Sequence, residues 1–72
     1  MNNFVVIGDF VFAKAMRADQ WTDAIGRSLY LAATMNLKPG VILVTQPGDK
    51  RVQQAKMACD RGGIKLWTAT VD

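Results

Sequence analysis

The segment that most constrains the fold of this chain is 21–44, where a helix pattern runs directly into a strand pattern. Its first part spaces apolar residues three and four apart, which is typical of the buried face of an α-helix. After the break Lys38-Pro39-Gly40, residues 41–45 are apolar on both alternating faces, as in a strand buried in the middle of a sheet. A helix followed by a buried strand predicts an α/β crossover.

Two short strands are predicted before that helix. Phe4–Ile7 is an apolar run, and Gly8-Asp9 fits a two-residue hairpin turn with glycine at positive φ. Phe10–Ala15 continues as the second strand, so we expect the two strands to pair antiparallel. In that second strand, one face carries Phe10, Phe12 and Lys14, and the other carries Val11, Ala13 and Ala15.

The first helix is predicted over residues 20–36, with Asp19 as its N-cap. Asp23 and Arg27 lie four residues apart on its outer side, where such a pair contributes about 0.3–0.5 kcal/mol. Gly26 in mid-helix indicates close backbone packing. The predicted core stripe consists of Trp21, Ala24, Ile25, Ser28, Leu29, Leu31, Ala32 and Met35.

A second helix and a last strand complete the pattern. Residues 46–48 form a turn, Asp49 caps a helix that runs to Arg61, and Gly62-Gly63 ends it. Residues 64–71 form the last strand. The inner face of this helix carries Val52, Ala55, Ala58 and Cys59, and its outer face carries Lys50, Gln54, Met57 and Arg61.

The predicted architecture is therefore a single α/β domain over residues 1–72, in the order β-β-α-β-α-β. The strands after the hairpin are parallel and joined by right-handed crossovers. If they lie in chain order, both helices cover the same face and the other face is a bare apolar surface, which usually marks an interface. We then expect a homodimer in contact through sheet faces or edge strands. The alternative is a doubly wound order that puts the helices on opposite faces.

Composition excludes several kinds of site. Cys59 is the only cysteine and histidine is absent, so neither a disulfide nor a typical zinc site is available. All six acidic residues are Asp, which leaves few of the usual general acids and bases. Composition therefore argues against a zinc site and against most acid–base catalysis.

Charge and hydropathy limit which partners and which location the sequence allows. The formal net charge is +3 and half of the residues are hydrophobic, with a pI of about 9.4. No apolar run approaches the roughly 20 residues of a membrane span, and Asp9 and Lys14 interrupt any signal-peptide pattern. A lone cysteine without an export signal points to the cytoplasm.

Residues 20–30 (QWTDAIGRSLY), 38–44 (KPGVILV) and 64–67 (IKLW) resemble a group of small bacterial and phage proteins of the PD-(D/E)XK nuclease superfamily. Those proteins tend to read K-W-x-E-A-I-G-Q-x-L-Y-Y-A, then K-x-P-G and a hydrophobic strand, and they close with a strand of the I-x-L-W type. The resemblance covers residues 4–71 and implies a restriction-endonuclease-like core.

The resemblance also implies where the nuclease site would lie, and the chain departs from the pattern there. The metal-binding Asp and the Asp/Glu-X-Lys of that superfamily fall near Val5, Lys14 and Met16. Valine and methionine carry no carboxylate and lysine repels a cation, whereas Mg²⁺ needs oxygen ligands. Arg27 replaces the helix Gln of the family, while Tyr30 is retained. The resemblance therefore implies a nuclease-like scaffold that has lost its catalytic activity, and we predict a protein that is not an enzyme, with no metal and no cofactor.

Two basic groups are the candidate binding residues. The first would gather at the lost site and contains Lys14, Arg17, Arg27 and Tyr30; the second forms a basic edge and contains Lys50, Lys56, Arg61 and Lys65. The first group suits phosphates or an acidic protein. For both groups the alternative is an ordinary solvated basic surface. Trp21 and Trp67 are predicted as core or interface anchors, and Cys59 as a small core residue.

Three functions follow from these observations. We predict a non-catalytic, dimeric binding protein that acts on another protein. By analogy with the resembling proteins, this would be a phage or mobile-element regulator such as an inhibitor of a host defence enzyme. The alternatives are a nucleic-acid-binding module without cleavage activity and a metal nuclease with a relocated site on Asp9 or Asp19.

Overall fold

A computed structural model describes residues 3–71 as one mixed sheet covered by two helices. The strands are β1 (Phe4–Ile7), β2 (Phe10–Ala15), β3 (Lys38–Thr45) and β4 (Lys65–Thr70), and the helices are α1 (Trp21–Met35) and α2 (Arg51–Gly62). The strands lie in chain order, with β1 antiparallel to β2 and the other neighbours parallel. The predicted α/β class, hairpin and parallel strands are confirmed.

The hairpin turn follows from its glycine. Gly8 has a φ of 59°, and Ile7 and Phe10 pair directly on either side of the two-residue turn. A two-residue turn requires positive φ, which glycine adopts at no steric cost. The turn therefore fixes the register of β1 on β2.

Both helices pack on the same face of the sheet, as the chain-order arrangement predicts. One buried cluster joins Ala13 and Leu43 of the sheet to Ala24 of α1 and to Ala55 and Cys59 of α2. Most of these side chains are small, so the helix backbones lie close to the sheet. The opposite face carries no helix among the described residues.

The start of α1 differs from the prediction. Asp19 lies within a 3-10 turn, Ala18–Gln20, and its carboxylate pairs with the Nε of Arg17 at 3.3 Å. Gln20 is the N-cap, without a side-chain hydrogen bond. The prediction of Asp19 as a cap is therefore wrong, because its side chain is turned back toward Arg17.

The buried stripe of α1 is narrower than predicted. Leu29 and Met35 are 47% and 40% exposed, while Ala24, Ser28 and Ala32 are buried. A row of small residues lets the helix settle close to the sheet, which leaves the flanks of the predicted stripe in solvent. The prediction of close backbone packing at Gly26 is also wrong, because a Cβ there would meet nothing within 4 Å.

The predicted break between α1 and β3 is part of the strand. Asn36 ends α1 in the left-handed conformation, with a φ of 55°, and β3 already begins at Lys38. Pro39 is tolerated because β4 begins opposite Gly40, so only β2 flanks the proline. β3 is three residues longer than predicted, and this changes which side chains share a face.

The limits of α2 follow the prediction closely. Lys50, and not the predicted Asp49, is the N-cap of α2, and it makes no side-chain capping hydrogen bond. The carboxylate of Asp49, one residue earlier, accepts a hydrogen bond from the main-chain N–H of Arg51, the first helical residue, at 2.9 Å. Gly63 ends the helix with a φ of 68°, and the N–H of Ile64 donates to the carbonyl of Cys59 at 2.8 Å. Neither α1 nor α2 has the length and apolarity that a membrane crossing requires.

Candidate binding face of the sheet

The register of the four strands determines which side chains point away from the helices. We call this surface the helix-free face. Side chains alternate along each strand, and the paired residues of neighbouring strands share a face. The helix-free face carries Val5, Ile7, Phe10, Phe12, Lys14, Lys38, Gly40, Ile42, Val44, Lys65, Trp67 and Ala69.

A row of aromatic rings crosses this face. The rings of Phe10 and Phe12 stack with centroids 5.8 Å apart, and those of Phe12 and Trp67 stack with centroids 4.4 Å apart. Phe12 is 1% exposed, whereas Trp67 is 41% exposed. The row reaches from β2 to β4 because Gly40 of the intervening strand has no side chain: a Cβ there would lie 2.6 Å from the Phe12 ring.

Three lysines accompany the rings. The ammonium groups of Lys38 and Lys65 lie 5.8 and 5.2 Å from the centroid of Phe10, within the range of a cation–π interaction. Lys14 belongs to the same face and is exposed. No residue of the helix-free face is acidic, and among residues 3–71 none of its three lysines forms an ion pair.

Arg27, a member of the first predicted group, is held by main-chain groups. Its guanidinium donates to the carbonyl oxygen of Lys14 at 2.9 Å and to that of Asn3 at 3.4 Å, and its Nε pairs with Asp23 at 3.2 Å. The predicted pair of Asp23 and Arg27 is confirmed. Arg27 therefore ties α1 to the ends of β1 and β2.

Of the rest of that group, the structure brings only the side chain of Tyr30 to Arg27. Lys14 points to the helix-free face, and Arg17 pairs with Asp19 beyond the end of β2. Tyr30 is 69% exposed and lies beside Arg27 and Phe4 on the helix side. The four residues therefore occupy three different surroundings.

The second predicted group is divided between the two sides of the sheet. Lys50, Lys56 and Arg61 are exposed along α2. Lys65 instead lies over Phe10 on the helix-free face. The sheet thus separates Lys65 from the basic edge and adds it to the aromatic row.

The resemblance assigned a lost metal site to Val5, Lys14 and Met16. Val5 pairs with Phe12, so it shares the helix-free face with Lys14, and Met16 follows β2 and is 64% exposed. Asp9 and Asp19, the alternative metal ligands, lie beyond opposite ends of β2. They are therefore too far apart to bind one ion together.

A polar cleft of about 300 Å³ lies at the carboxyl ends of the parallel strands. Both of its carboxylates are in ion pairs. Asp19 pairs with Arg17, and the two carboxylate oxygens of Asp49 accept hydrogen bonds from Nε and Nη2 of Arg51. Hydrogen bonds from the side chain and main chain of Arg51 hold the pKa of Asp49 below its ordinary value, and Asp49 in turn raises the pKa of Arg51. Both carboxylates of the cleft are therefore already bound by arginines of the chain.

Cys59 is 1% exposed between α2 and the sheet, as predicted for a core residue. Burial raises the pKa of its thiol. A protonated, covered thiol is a poor nucleophile.

Sequence reasoning missed the composition of the helix-free face. The alternation in β2 already placed Phe10, Phe12 and Lys14 together, but Lys38 was assigned to a loop and Trp67 was not related to Phe12. The available signal was the period of two, which continues through the Lys38-Pro39-Gly40 segment. Comparison with known protein families, curated proteins and solved structures gives no match to this chain.

Proposed function

We propose that this chain is a non-catalytic module that binds single-stranded nucleic acid on its helix-free face. The observation that carries the proposal is the set of three lysines around a row of aromatic rings, on a sheet face without a carboxylate. The resemblance to nuclease-like proteins without the metal-binding carboxylates supports the absence of cleavage.

The rings supply a stacking surface. Base–aromatic stacking contributes about 1–3 kcal/mol per base and tolerates every base, since each has a π-face. Trp67 is exposed and Phe10 is half-buried, and the buried Phe12 supports both rings from between them. Two bases of a single strand therefore have a ready platform.

The lysines supply the phosphate contacts. Lys38 and Lys65 flank Phe10. Lys14 is separated from Trp67 by Ile42 of β3. A flat sheet face suits unstacked bases better than a duplex, whose bases are enclosed. Four-stranded sheets with aromatic side chains on a helix-free face are one way in which proteins bind single-stranded RNA.

The test is a titration of labelled dT and U oligonucleotides, followed by fluorescence anisotropy at 50 and 200 mM salt. We expect the triple variant Lys14→Ala, Lys38→Ala and Lys65→Ala to bind more than tenfold more weakly. Three phosphate contacts to a single strand give the logarithm of the binding constant a slope of about −2 against the logarithm of the salt concentration, and in the triple variant this slope should approach zero. The matched control replaces Lys50, Lys56 and Arg61 by alanine, which removes the same charge from α2. Equal losses of oligonucleotide affinity in both triple variants, or no binding by the original chain at 50 mM salt, would refute the proposal.

A protein partner is the second candidate function, as the sequence predicts. The specific observation is the aliphatic part of the helix-free face, where Ile7 is 43% exposed and Ile42 and Val44 are half-buried. A partner for this surface would be apolar and acidic, to match the lysines. Capture of such a protein that depends on Ile42 but not on Lys14, together with no oligonucleotide binding, would favour this candidate.

A further inference from the structure

We infer that the helix-free face prefers single strands with keto bases, which are thymine, uracil and guanine, and that Lys38 and Lys65 set this preference at Phe10. The preference rests on the proposed function and narrows its ligand. Stacking on aromatic rings tolerates every base, so discrimination has to come from hydrogen-bonding groups at the edge of a stacked base. On this face, the side chains supply only one kind of such group.

The side chains of the helix-free face offer hydrogen-bond donors and no acceptors. Its polar side chains are those of Lys14, Lys38, Lys65 and Trp67, and its other members are apolar or glycine. An ammonium group carries three donors and no acceptor, and the indole N–H is a donor only. Among the strand residues that the structure describes, this face therefore presents no side-chain oxygen to a base.

Main-chain oxygens do not replace the missing acceptors. Phe10 and Lys38 are paired in β2 and β3, where carbonyl groups point along the sheet toward a neighbouring strand. The carbonyl of Asp9, in the hairpin turn, accepts from the N–H of Lys38 at 2.8 Å. No ion pair among residues 3–71 involves Lys38 or Lys65, so their ammonium donors are available to a base.

Two of the donors meet at one ring. The ammonium groups of Lys38 and Lys65 lie 5.8 and 5.2 Å from the centroid of the Phe10 ring. Phe10 is half-buried, so part of the ring remains open to a ligand. A base that stacks on Phe10 displaces the ammonium groups from the ring to the edge of the base, where its exocyclic groups lie.

The exocyclic groups of the base then decide how well it is bound. Thymine and uracil present O4, and guanine presents O6 beside N7, all of which accept hydrogen bonds. Cytosine and adenine instead present an amino group, which is a donor. A keto oxygen beside Lys38 and Lys65 is bonded by a charged donor, which makes a stronger hydrogen bond than a neutral one. An amino group at the same place finds no acceptor.

Oligonucleotides of deoxyuridine and deoxycytidine test the preference, because the two bases have the same size and differ only at positions 3 and 4. Fluorescence anisotropy at 20 mM salt and pH 8, where cytosine is neutral, measures the two dissociation constants. We expect the dU strand to bind at least about threefold more tightly, as one net hydrogen bond allows. Equal binding, or tighter binding of dC, overturns the preference and leaves the proposed function standing. No binding of either strand overturns both.

The double variant Lys38→Gln and Lys65→Gln tests the assignment to these two residues. Glutamine carries an acceptor as well as donors, so the ratio of the dC to the dU dissociation constant should fall toward one. The matched control, Lys50→Gln and Lys56→Gln on α2, removes the same charge and should keep the ratio of the original chain. A general loss of phosphate attraction weakens both strands alike and cancels in this ratio. An unchanged ratio in the Lys38 and Lys65 variant overturns the assignment.

Discussion

The ring of Phe12 lies directly over Gly40, so that a Cβ at position 40 would stand 2.6 Å from two of its ring carbons. This contact lets an aromatic side chain of β2 cross the neighbouring strand and stack on Trp67 of β4. Three strands are thereby joined on the face that the helices do not cover. Glycine at position 40 is required by this packing and not by its backbone angles.

Gly40→Ala should destabilise the protein. The added methyl group displaces the Phe12 ring, and overpacking of this kind costs about 1–3 kcal/mol of unfolding free energy. Urea denaturation measures the change. Gly26→Ala is the control, because no atom lies within 4 Å of that Cβ and alanine favours the helix interior by about 0.5–1 kcal/mol. Destabilisation by both substitutions would contradict the packing described.

Trp67, and not Trp21, should report on binding. Trp21 packs against the buried core beneath the helices, whereas Trp67 is accessible on the helix-free face. In Trp21→Phe, an added dT oligonucleotide should quench the remaining indole; in Trp67→Phe, the fluorescence should stay constant. Trp67→Ala should weaken binding by the about 1–3 kcal/mol of one stacked base. A response from Trp21 alone would place the ligand elsewhere.

Removal of the Arg27 side chain should loosen α1. Its guanidinium bonds two main-chain carbonyls, those of Asn3 and Lys14, and hydrogen bonds to charged groups contribute about 1.5–3 kcal/mol when shielded. Because Arg27 is one-third exposed, we expect Arg27→Ala to lose about 1–2 kcal/mol. Arg61→Ala, at an exposed position of α2, should change stability by less than about 0.5 kcal/mol. Equal effects in thermal denaturation would show that the carbonyl contacts contribute nothing.

Stability should fall in acid through Asp49. Its pKa in the folded chain lies below its ordinary value of 3.8, because Arg51 bonds the ionised form. This contribution is present above pH 3.8 and is lost as the pH falls through the lowered pKa. Melting temperatures between pH 2 and 6 should therefore depend less on pH in Asp49→Asn. Arg51→Gln removes the same interaction from the other side and should flatten the curve similarly; a curve as steep as that of the original chain in both variants would contradict this assignment.

Local patterns sufficed for the elements of this fold but not for their order in the sheet. Gly8-Asp9 predicted the hairpin, and the doubly apolar residues 41–45 predicted the central strand. Right-handed crossovers were compatible both with chain-order pairing and with a doubly wound order, and the structure has the chain order. The misplaced boundary at Lys38-Pro39-Gly40 had the larger effect on the site. A Lys-Pro-Gly run resembles a turn in isolation, and only the late start of β4 shows why a strand can contain it.

Side-chain environments were harder to predict than strands. Leu29 has the periodicity of a core residue, yet the close approach of α1 through Ala24 and Ser28 leaves it in solvent. Arg17 and Arg27 were grouped from the sequence, but Arg17 pairs with Asp19 and Arg27 donates to the main-chain carbonyl of Lys14. Such choices depend on distances between elements, which periodicity does not contain.

Phe12 is the largest fully buried side chain among residues 3–71, and it belongs to the surface proposed for recognition. The ring of Phe12 therefore contributes both to the stability of the fold and to the support of a bound ligand. Any molecule that covers Trp67 and Phe10 also shields the packing beneath them. A ligand present at 100 times its dissociation constant adds about 2.7 kcal/mol to the free energy of unfolding. A thermal-shift screen of candidate ligands thus reads out recognition through the melting of the chain itself.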